Sequence, residues 1–372
     1  MDYDLIVVGG GPVGAALVRS AAGLSARLLV HERRVAAPKP EGAFDARVYA
    51  LSPTNVAFLG LAAERLTPVH AMRVFGDKDS RIEFDAYRAG VPALAYIVED
   101  SALQDALWEG LDVELGRGEG ISLEEDRVEL RLEDGRTLKA RLIVAADGAE
   151  SRIREFAGIR AAGKPYGQSA VVANFACERP HENIAFQWFQ GGPVLALLPL
   201  PRNHVSMVWS LPTAEATRIV ALEPRQLCAD VEAASERALG AFSLVTAPRS
   251  YPLRRLAARR MIAPRVALVG DAAHVIHPLA GQGLNLGLQD ARVLSRLLSE
   301  RGAMRDAGDW RLLRRYERLR AEPVLAMDSM VDGLQRLFGA QNAFAVRLRN
   351  RGMNLTDRLE VVKNLLIRQA MN

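Results

Sequence analysis

His277-Pro278-Leu279-Ala280-Gly281-Gln282-Gly283-Leu284-Asn285-Leu286-Gly287-Leu288-Gln289-Asp290 stands two residues after Val266-Ala267-Leu268-Val269-Gly270-Asp271-Ala272-Ala273-His274. Val266 to Val269 predict a short buried strand, which Gly270-Asp271 ends. A turn containing Pro278 follows, and Gly281 and Gly283 open a helix that continues through Leu297. A strand that delivers an acid and two glycines to the first turn of a helix builds an anion-accepting pocket. Glycine lets backbone come close, and the free N–H groups carry the positive end of the helix dipole. Asp271 suits a sugar hydroxyl, and the helix start suits a phosphate or an electron-rich ring.

The N-terminus supplies the matching half. Leu5-Ile6-Val7-Val8 is an apolar run with strand propensity, Gly9-Gly10-Gly11-Pro12-Val13-Gly14 follows at once, and Ala15 to Val18 read as helix. Gly9, Gly11 and Gly14 fit G-x-G-x-x-G with a strand before and a helix after, the context that separates a dinucleotide-binding turn from an ordinary tight turn. A second strand, Arg27 to His31, ends at Glu32, where a ribose-binding acid belongs at about 20 residues from the glycines. The charge of Glu32 would repel a 2′-phosphate.

With 372 residues the chain can bury a large core in about two domains. Its 49% hydrophobic and 25% charged content is that of a globular protein, and no apolar run approaches the ~18 residues of a membrane span. A nucleotide-binding strand stands where a signal peptide would have its apolar core. Cys177 and Cys228 alone make neither a disulfide framework nor a zinc site, so the expected location is cytoplasmic. Charge is uneven: Arg301 to Asn372 hold 14 Lys and Arg against 8 Asp and Glu in a chain of net charge +4. Such a basic region is compatible with peripheral attachment to an anionic inner-membrane surface or with an acidic partner protein. However, 43 of the 48 basic residues are Arg, which already predicts arginine on any exposed helix face. No recognition motif for nucleic acid appears.

The expected fold class is α/β (α+β overall). Residues 1–73, 94–165 and 252–325 read as a Rossmann-like nucleotide-binding domain. It includes a helix from Ser101 to Trp108, a meander turning at Asp134-Gly135, and a buried strand from Leu142 to Ala146 that ends at Asp147-Gly148. Residues 74–93 and 166–251 read as an inserted antiparallel β-sheet substrate domain with one helix, Pro224 to Leu239. Residues 326–372 read as a C-terminal helical region, with Met327, Met330, Val331, Leu334, Leu337 and Phe338 at helical spacing.

Asp147-Gly148-Ala149-Glu150-Ser151-Arg152-Ile153-Arg154 is a third segment in which a strand end runs into a helix. With the other two it carries a resemblance over essentially the whole chain. The sequence resembles the flavoprotein aromatic hydroxylases of the p-hydroxybenzoate hydroxylase type, and within them the FAD-dependent ubiquinone-biosynthesis hydroxylases. Their signature H-P-[LIV]-[AG]-G-Q-G-x-N-x-G-x-x-D is matched at every fixed position from His277 to Asp290. Asp45 to Ser52 is similar to the family's D-x-R-x-x-A-L-S block. Gly333-Leu334, Leu337-Phe338, Arg349, Gly352, Lys363 and Ala370-Met371 are similar to its C-terminal helices.

The resemblance implies FAD as cofactor and a set of roles. Gly9, Gly11, Gly14 and Glu32 would hold its ADP half, and Asp271 a ribityl hydroxyl near the pyrophosphate. Pro278, Gly281, Gly283, Leu284 and Asn285 would lie against the isoalloxazine ring, with backbone N–H groups stabilising the reduced form. Arg47 would lie near the flavin and Gln104 beside its phosphates. Asp147 and Arg154 belong to a segment that serves both flavin and nicotinamide. The implied reaction uses NAD(P)H and O₂: oxygen adds at C4a of the reduced ring, and its distal atom passes to a (poly)prenylated phenol. The alternatives are hydroxylation of another small aromatic, a protein electron donor, or an FAD-binding accessory subunit of a quinone-biosynthesis complex. No catalytic acid, base or metal ligand is nominated; His274 and His277 lack further ligands beside them. Ser101 stands where the family often has arginine, and by residue type it reads as a helix N-cap. Trp188, Trp209 and Phe242 read as core.

Overall fold

A computed structural model describes residues 2–32, 42–76, 80–277, 281–302 and 305–340, with single positions at 350, 363 and 367. The positions Arg349, Gly352, Ala370 and Met371 named above lie outside the described residues. In the first sheet the strands Val266–Leu268, Thr137–Ala145, Tyr3–Val8, Ala26–Val30 and Val113–Leu115 run parallel, in that order. Leu5, Ile6, Val7, Ile143, Val144 and Val266 are fully buried, as strands covered on both faces must be. The chain leaves Tyr3–Val8 toward Ala26–Val30 on one side and returns as Thr137–Ala145 on the other. That reversal opens a crevice at the carboxyl ends of the strands. Gly9, Glu32, Gly116, Asp147 and Gly270 all follow strand ends on this one edge. Strands Gly118–Leu123 and Val128–Leu132 add antiparallel to the base of Thr137–Ala145, with Gly135 in the left-handed region at φ 86°.

The second sheet has nine strands. His274–Val275, Arg249–Ala258, Ala161–Cys177, His204–Pro212, Val194–Leu200, Ile184–Phe189, Ala71–Phe75 and Arg81–Asp85 are neighbours in turn, and Phe242–Leu244 pairs with Ala161–Cys177. Two expectations are corrected here. The sheet is not purely antiparallel, because Ile184–Phe189 pairs parallel with Ala71–Phe75, a strand that arrives from the first part of the chain rather than through a hairpin. The segment carries two helices, Thr213–Val220 and Pro224–Ala234, instead of one running to Leu239. Ala216 and Ile219 bury one face of the former. The latter starts at Pro224, whose fixed φ suits a first turn, and Glu236 and Arg237 adopt positive φ after it. Trp188, Trp209 and Phe242 belong to the core between these helices and the sheet.

A small third sheet, Val48–Leu51, Ala95–Glu99 and Thr67–Val69, packs against strand Val194–Leu200 of the nine-stranded sheet and against helix Gln282–Glu300. Helix Gln282–Glu300 packs on helix Pro12–Ser20, and helix Trp310–Gly339 packs on Gln282–Glu300. Among the described residues no helix is long and apolar enough to cross a membrane.

Candidate functional site

A cleft of about 520 Å³ opens at the strand ends, lined among others by Gly9, Gly11, Glu32, Gln104, Trp108 and Asp147. Its floor is a turn only glycine can make. Gly9 has φ 116°, and a Cβ there would run into the Ala146 carbonyl; one on Gly14 would run into the Gly9 carbonyl. Gly11 differs: a Cβ there meets nothing within 4 Å, so it faces open cleft. Helix Pro12–Ser20 begins without a capping side chain and without an acid in its first turn, which leaves its N–H groups free toward the cleft. Glu32 is exposed at the end of the neighbouring strand. Gln104 is 8% exposed, and its Oε1 has no hydrogen-bond partner among the described residues.

Trp108 was not singled out from sequence. Its Nε1 donates to the Gly10 carbonyl at 2.8 Å, and its ring stands where a Cβ on Gly10 would go. The usable signal was its spacing, four residues beyond Gln104 on the same helix face. Arg117 and Arg152, also missed, rim the cleft and share Glu133 as ion-pair partner.

Asp147 accepts from Ser151 Oγ at 2.5 Å and from the Ile153 amide at 3.2 Å; burial raises its carboxyl pKa, and these donors work against the rise. Arg154 does not project into the cleft. It is 5% exposed, and it donates to the carbonyls of Ala149 and Ala272, both at 3.0 Å. It therefore ties the turn after Asp147 to the turn bearing Asp271. Asp271 lies in a short 3-10 turn, Gly270–Ala272, and is reachable from solvent while protein surrounds the rest of it. Loss of water raises its pKa, against the pull of His274, Arg47 and Arg254.

Gly281, at φ 62°, precedes helix Gln282–Glu300, which likewise has no capping side chain and no acid in its first turn. A Cβ on Gly283 would meet nothing within 4 Å. Leu284 packs against the first core. Asn285 has a committed side chain: Oδ1 accepts from the Ser52 amide at 2.8 Å and Asn55 Nδ2 at 2.9 Å, while Nδ2 donates to the Ala50 carbonyl at 2.8 Å. This explains why the Asp45 to Ser52 block and the 277–290 block occur together, since one clamps the other. Pro278 lies outside the described residues.

Arg47 is exposed, with its guanidinium 4.9 Å from the Tyr49 ring centroid and 5.7 Å from that of Tyr251, and so bridges the small sheet and the nine-stranded one. Tyr49 donates to Asp100 at 3.1 Å, and burial raises its pKa. Ser101 is not the N-cap. Glu99 holds that place for helix Asp100–Trp108, and the Ser101 amide, in the first turn, donates to Asp45 Oδ2 at 2.7 Å. The acid of the Asp45 block thus does the capping from outside the helix. His274 bonds Asp290 and His277 lies 3.1 Å from Gln168 Oε1, so each ring has its own partner.

Residues 117–328 match the protein family described as FAD binding domain. The chain is 31% identical over 385 residues to 3-demethoxyubiquinol 3-hydroxylase of Escherichia coli (strain K12), covering 99% of this chain and 98% of that protein. It is 32% identical over 382 residues to ubiquinone hydroxylase UbiL of Rhodospirillum rubrum, covering 99% and 89%. The solved structure of p-nitrophenol 4-monooxygenase PnpA from Pseudomonas putida DLL-E4 superposes with a TM-score of 0.78 at 18% identity, covering 99% of this chain and 98% of that one, a likeness of fold.

Proposed function

We propose, for a chain that belongs to the FAD-dependent hydroxylase family of ubiquinone biosynthesis, that it hydroxylates the aromatic ring of a (poly)prenylated phenol on the way to ubiquinone. The observation that carries this reading is a strand-end cleft onto which Gly9, Gly11, Glu32 and Asp147 open at the uncapped start of helix Pro12–Ser20, with a second uncapped helix, Gln282–Glu300, packed on that helix and bonded through Asp290 to the Gly270 turn. FAD fits what that crevice leaves open: a glycine surface at Gly11 with room above it, free amides for a diphosphate, and Gln104 Oε1 as a buried acceptor without a donor. When bound, FAD supplies the redox chemistry and the activation of O₂.

In this reading Gly9, Gly11 and Gly14 bring backbone to the diphosphate, Glu32 accepts from ribose hydroxyls, and Asp271 accepts from the ribityl chain. The amides at Gln282, Gly283 and Leu284 place a helix dipole against the electron-rich end of the ring, which stabilises negative charge there. Arg47 adds a cation beside it. Residues 1–73, 94–165 and 252–325 are assigned to the cofactor domain, 74–93 and 166–251 to the substrate domain, and 326–372 to a C-terminal region. NAD(P)H is the assigned reductant. The basic excess after Arg301 supports attachment to an anionic membrane surface or a quinone-biosynthesis complex, where so apolar a substrate resides.

Flavin-loaded protein, given a prenylated phenol, NAD(P)H and O₂, is expected to yield a product heavier by one oxygen, detected by mass spectrometry. Oxidation of NAD(P)H that gives only hydrogen peroxide with every phenol tried would overturn the assignment. Bound flavin with no consumption of NAD(P)H or O₂ would favour the accessory-subunit reading instead.

A further inference from the structure

We infer that Arg320, on the long C-terminal helix, is a positioning residue for the cofactor turn and acts through Asp290 on Asp271. The inference rests on the assignment of FAD to this crevice. The Asp290 side chain has no exposed surface. One carboxylate oxygen accepts from the Gly270 amide at 2.9 Å and from His274 Nε2 at 2.7 Å; the other accepts from Arg320 Nε at 2.6 Å. Burial by itself would raise the pKa of this acid, but His274, Arg320 and the Gly270 amide outweigh it and hold the group below the usual carboxylate range. Arg320 is 3% exposed, and its other nitrogens donate to the Leu286 carbonyl at 3.2 Å and to Gln289 Oε1 at 3.3 Å.

Asp271 lies between the two groups that Asp290 holds. Gly270 before it and His274 after it are tied to the same carboxylate oxygen. The Ala272 carbonyl accepts from Arg154 Nη1 at 3.0 Å, and the Ala273 amide closes on the Gly270 carbonyl at 2.8 Å. The Asp271 carboxylate itself has no hydrogen-bond donor among the described residues. An acid whose backbone neighbours are fixed while its own oxygens stay free is preorganised for an incoming hydroxyl. Without Arg320, Asp290 is a buried carboxylate with one oxygen stripped of its guanidinium partner. It then takes up a proton or draws away from Gly270, and either change loosens the turn that aims Asp271.

Flavin fluorescence quenching gives the dissociation constant of FAD from the protein and from four variants. Arg320→Met is expected to weaken FAD binding by about tenfold or more. Asp271→Asn should weaken it as well, and the double variant no further than the worse single one, because both act on one contact. Leu313→Ala, which empties a fully buried site on the same helix, should lower the unfolding temperature of FAD-free protein and leave the dissociation constant unchanged. Unchanged FAD affinity in Arg320→Met, losses that add to those of Asp271→Asn, or an equal loss in Leu313→Ala would each overturn the inference. If Arg320→Met does not fold, Arg320→Lys carries the test, since it keeps the charge and loses the bonds to Leu286 and Gln289. It should weaken binding about threefold alone and not at all beside Asp271→Asn; any other pattern overturns the inference. Failure of the unaltered protein to bind FAD would instead remove the functional assignment beneath it.

Discussion

Two helices packed on each other begin with bare N-termini, and they are held in place by opposite means. Helix Pro12–Ser20 is placed by atoms it lacks: Gly9 and Gly14 let its first turn lie directly on the Tyr3–Val8 strand and the Ala146 carbonyl. Helix Gln282–Glu300 is placed by atoms it carries. Asn285 bonds strand Val48–Leu51 and the turn after it, Asp290 bonds the Gly270 turn, and His277 just ahead of the helix reaches Gln168 in the nine-stranded sheet. Contact between backbones tolerates no added atom. A buried polar network tolerates changes of shape and fails when one partner is lost, because the other is left desolvated and unpaired. The same anion-accepting helix end is thus built with two different vulnerabilities.

The sharpest break is Gly14→Ala. The new methyl would overlap the Gly9 carbonyl and approach Ala146 Cβ to 3.1 Å, and no flexible side chain can give way. A loss of about 3 kcal/mol or more, or failure to accumulate folded protein, is expected from such overpacking. Gly11→Ala is the control, since its methyl meets open cleft; FAD-free stability should stay within about 0.5 kcal/mol while FAD retention falls. Equal urea midpoints for Gly14→Ala and the native protein would show that close backbone contact does not hold this helix.

Asn285→Ala attacks the second kind of placement. It leaves the Ser52 amide and the Ala50 carbonyl without their side-chain partner, and Asn55 Nδ2 with only the residue-285 carbonyl at 3.2 Å, inside a site that is 2% exposed. Two such losses and one weakened donor correspond to about 3 kcal/mol. Urea unfolding of FAD-free protein measures it, and a loss below about 1 kcal/mol would mean that water or rearrangement replaces the clamp.

The first helix was legible in the sequence because everything that places it is local: a strand, three glycines and an acid within the first 32 residues. Asn285 and Asp290 were legible only as members of a pattern. Their bonds join residues as far as 235 positions apart, and no local periodicity encodes a partner at that distance. The parallel pairing of Ala71–Phe75 with Ile184–Phe189 was hidden for the same reason. Ser101 was misread because its residue type suits a cap, whereas the acid that bonds its amide, Asp45, comes from a different strand connection. Trp108 could have been read, since its spacing from Gln104 is a purely local fact.

The smallest expected effect concerns His277, which links the second helix to the nine-stranded sheet. Its ring is 1% exposed, Nε2 lies 3.1 Å from Gln168 Oε1, Tyr166 packs edge-on at 4.8 Å, and Nδ1 has no partner among the described residues. Burial pushes its pKa down to about 4. In the unfolded chain the ring titrates near ~6.5, so between those values the unfolded state binds a proton that the native state refuses. Stability must therefore fall as pH drops through this window, by about 1.5 kcal/mol from pH 6.5 to 5. Asp147 and Asp271, whose carboxyls burial raises, act with the opposite sign, which is why the effect has to be taken as a difference between two proteins. His277→Gln keeps a donor for Gln168 and removes the titration. Its stability should decline less steeply than that of the native protein, by about 1 kcal/mol per pH unit between pH 6.5 and 5. Parallel curves would place the ring in water or in its charged form, and the link between the helix and the nine-stranded sheet would then have to run through other atoms.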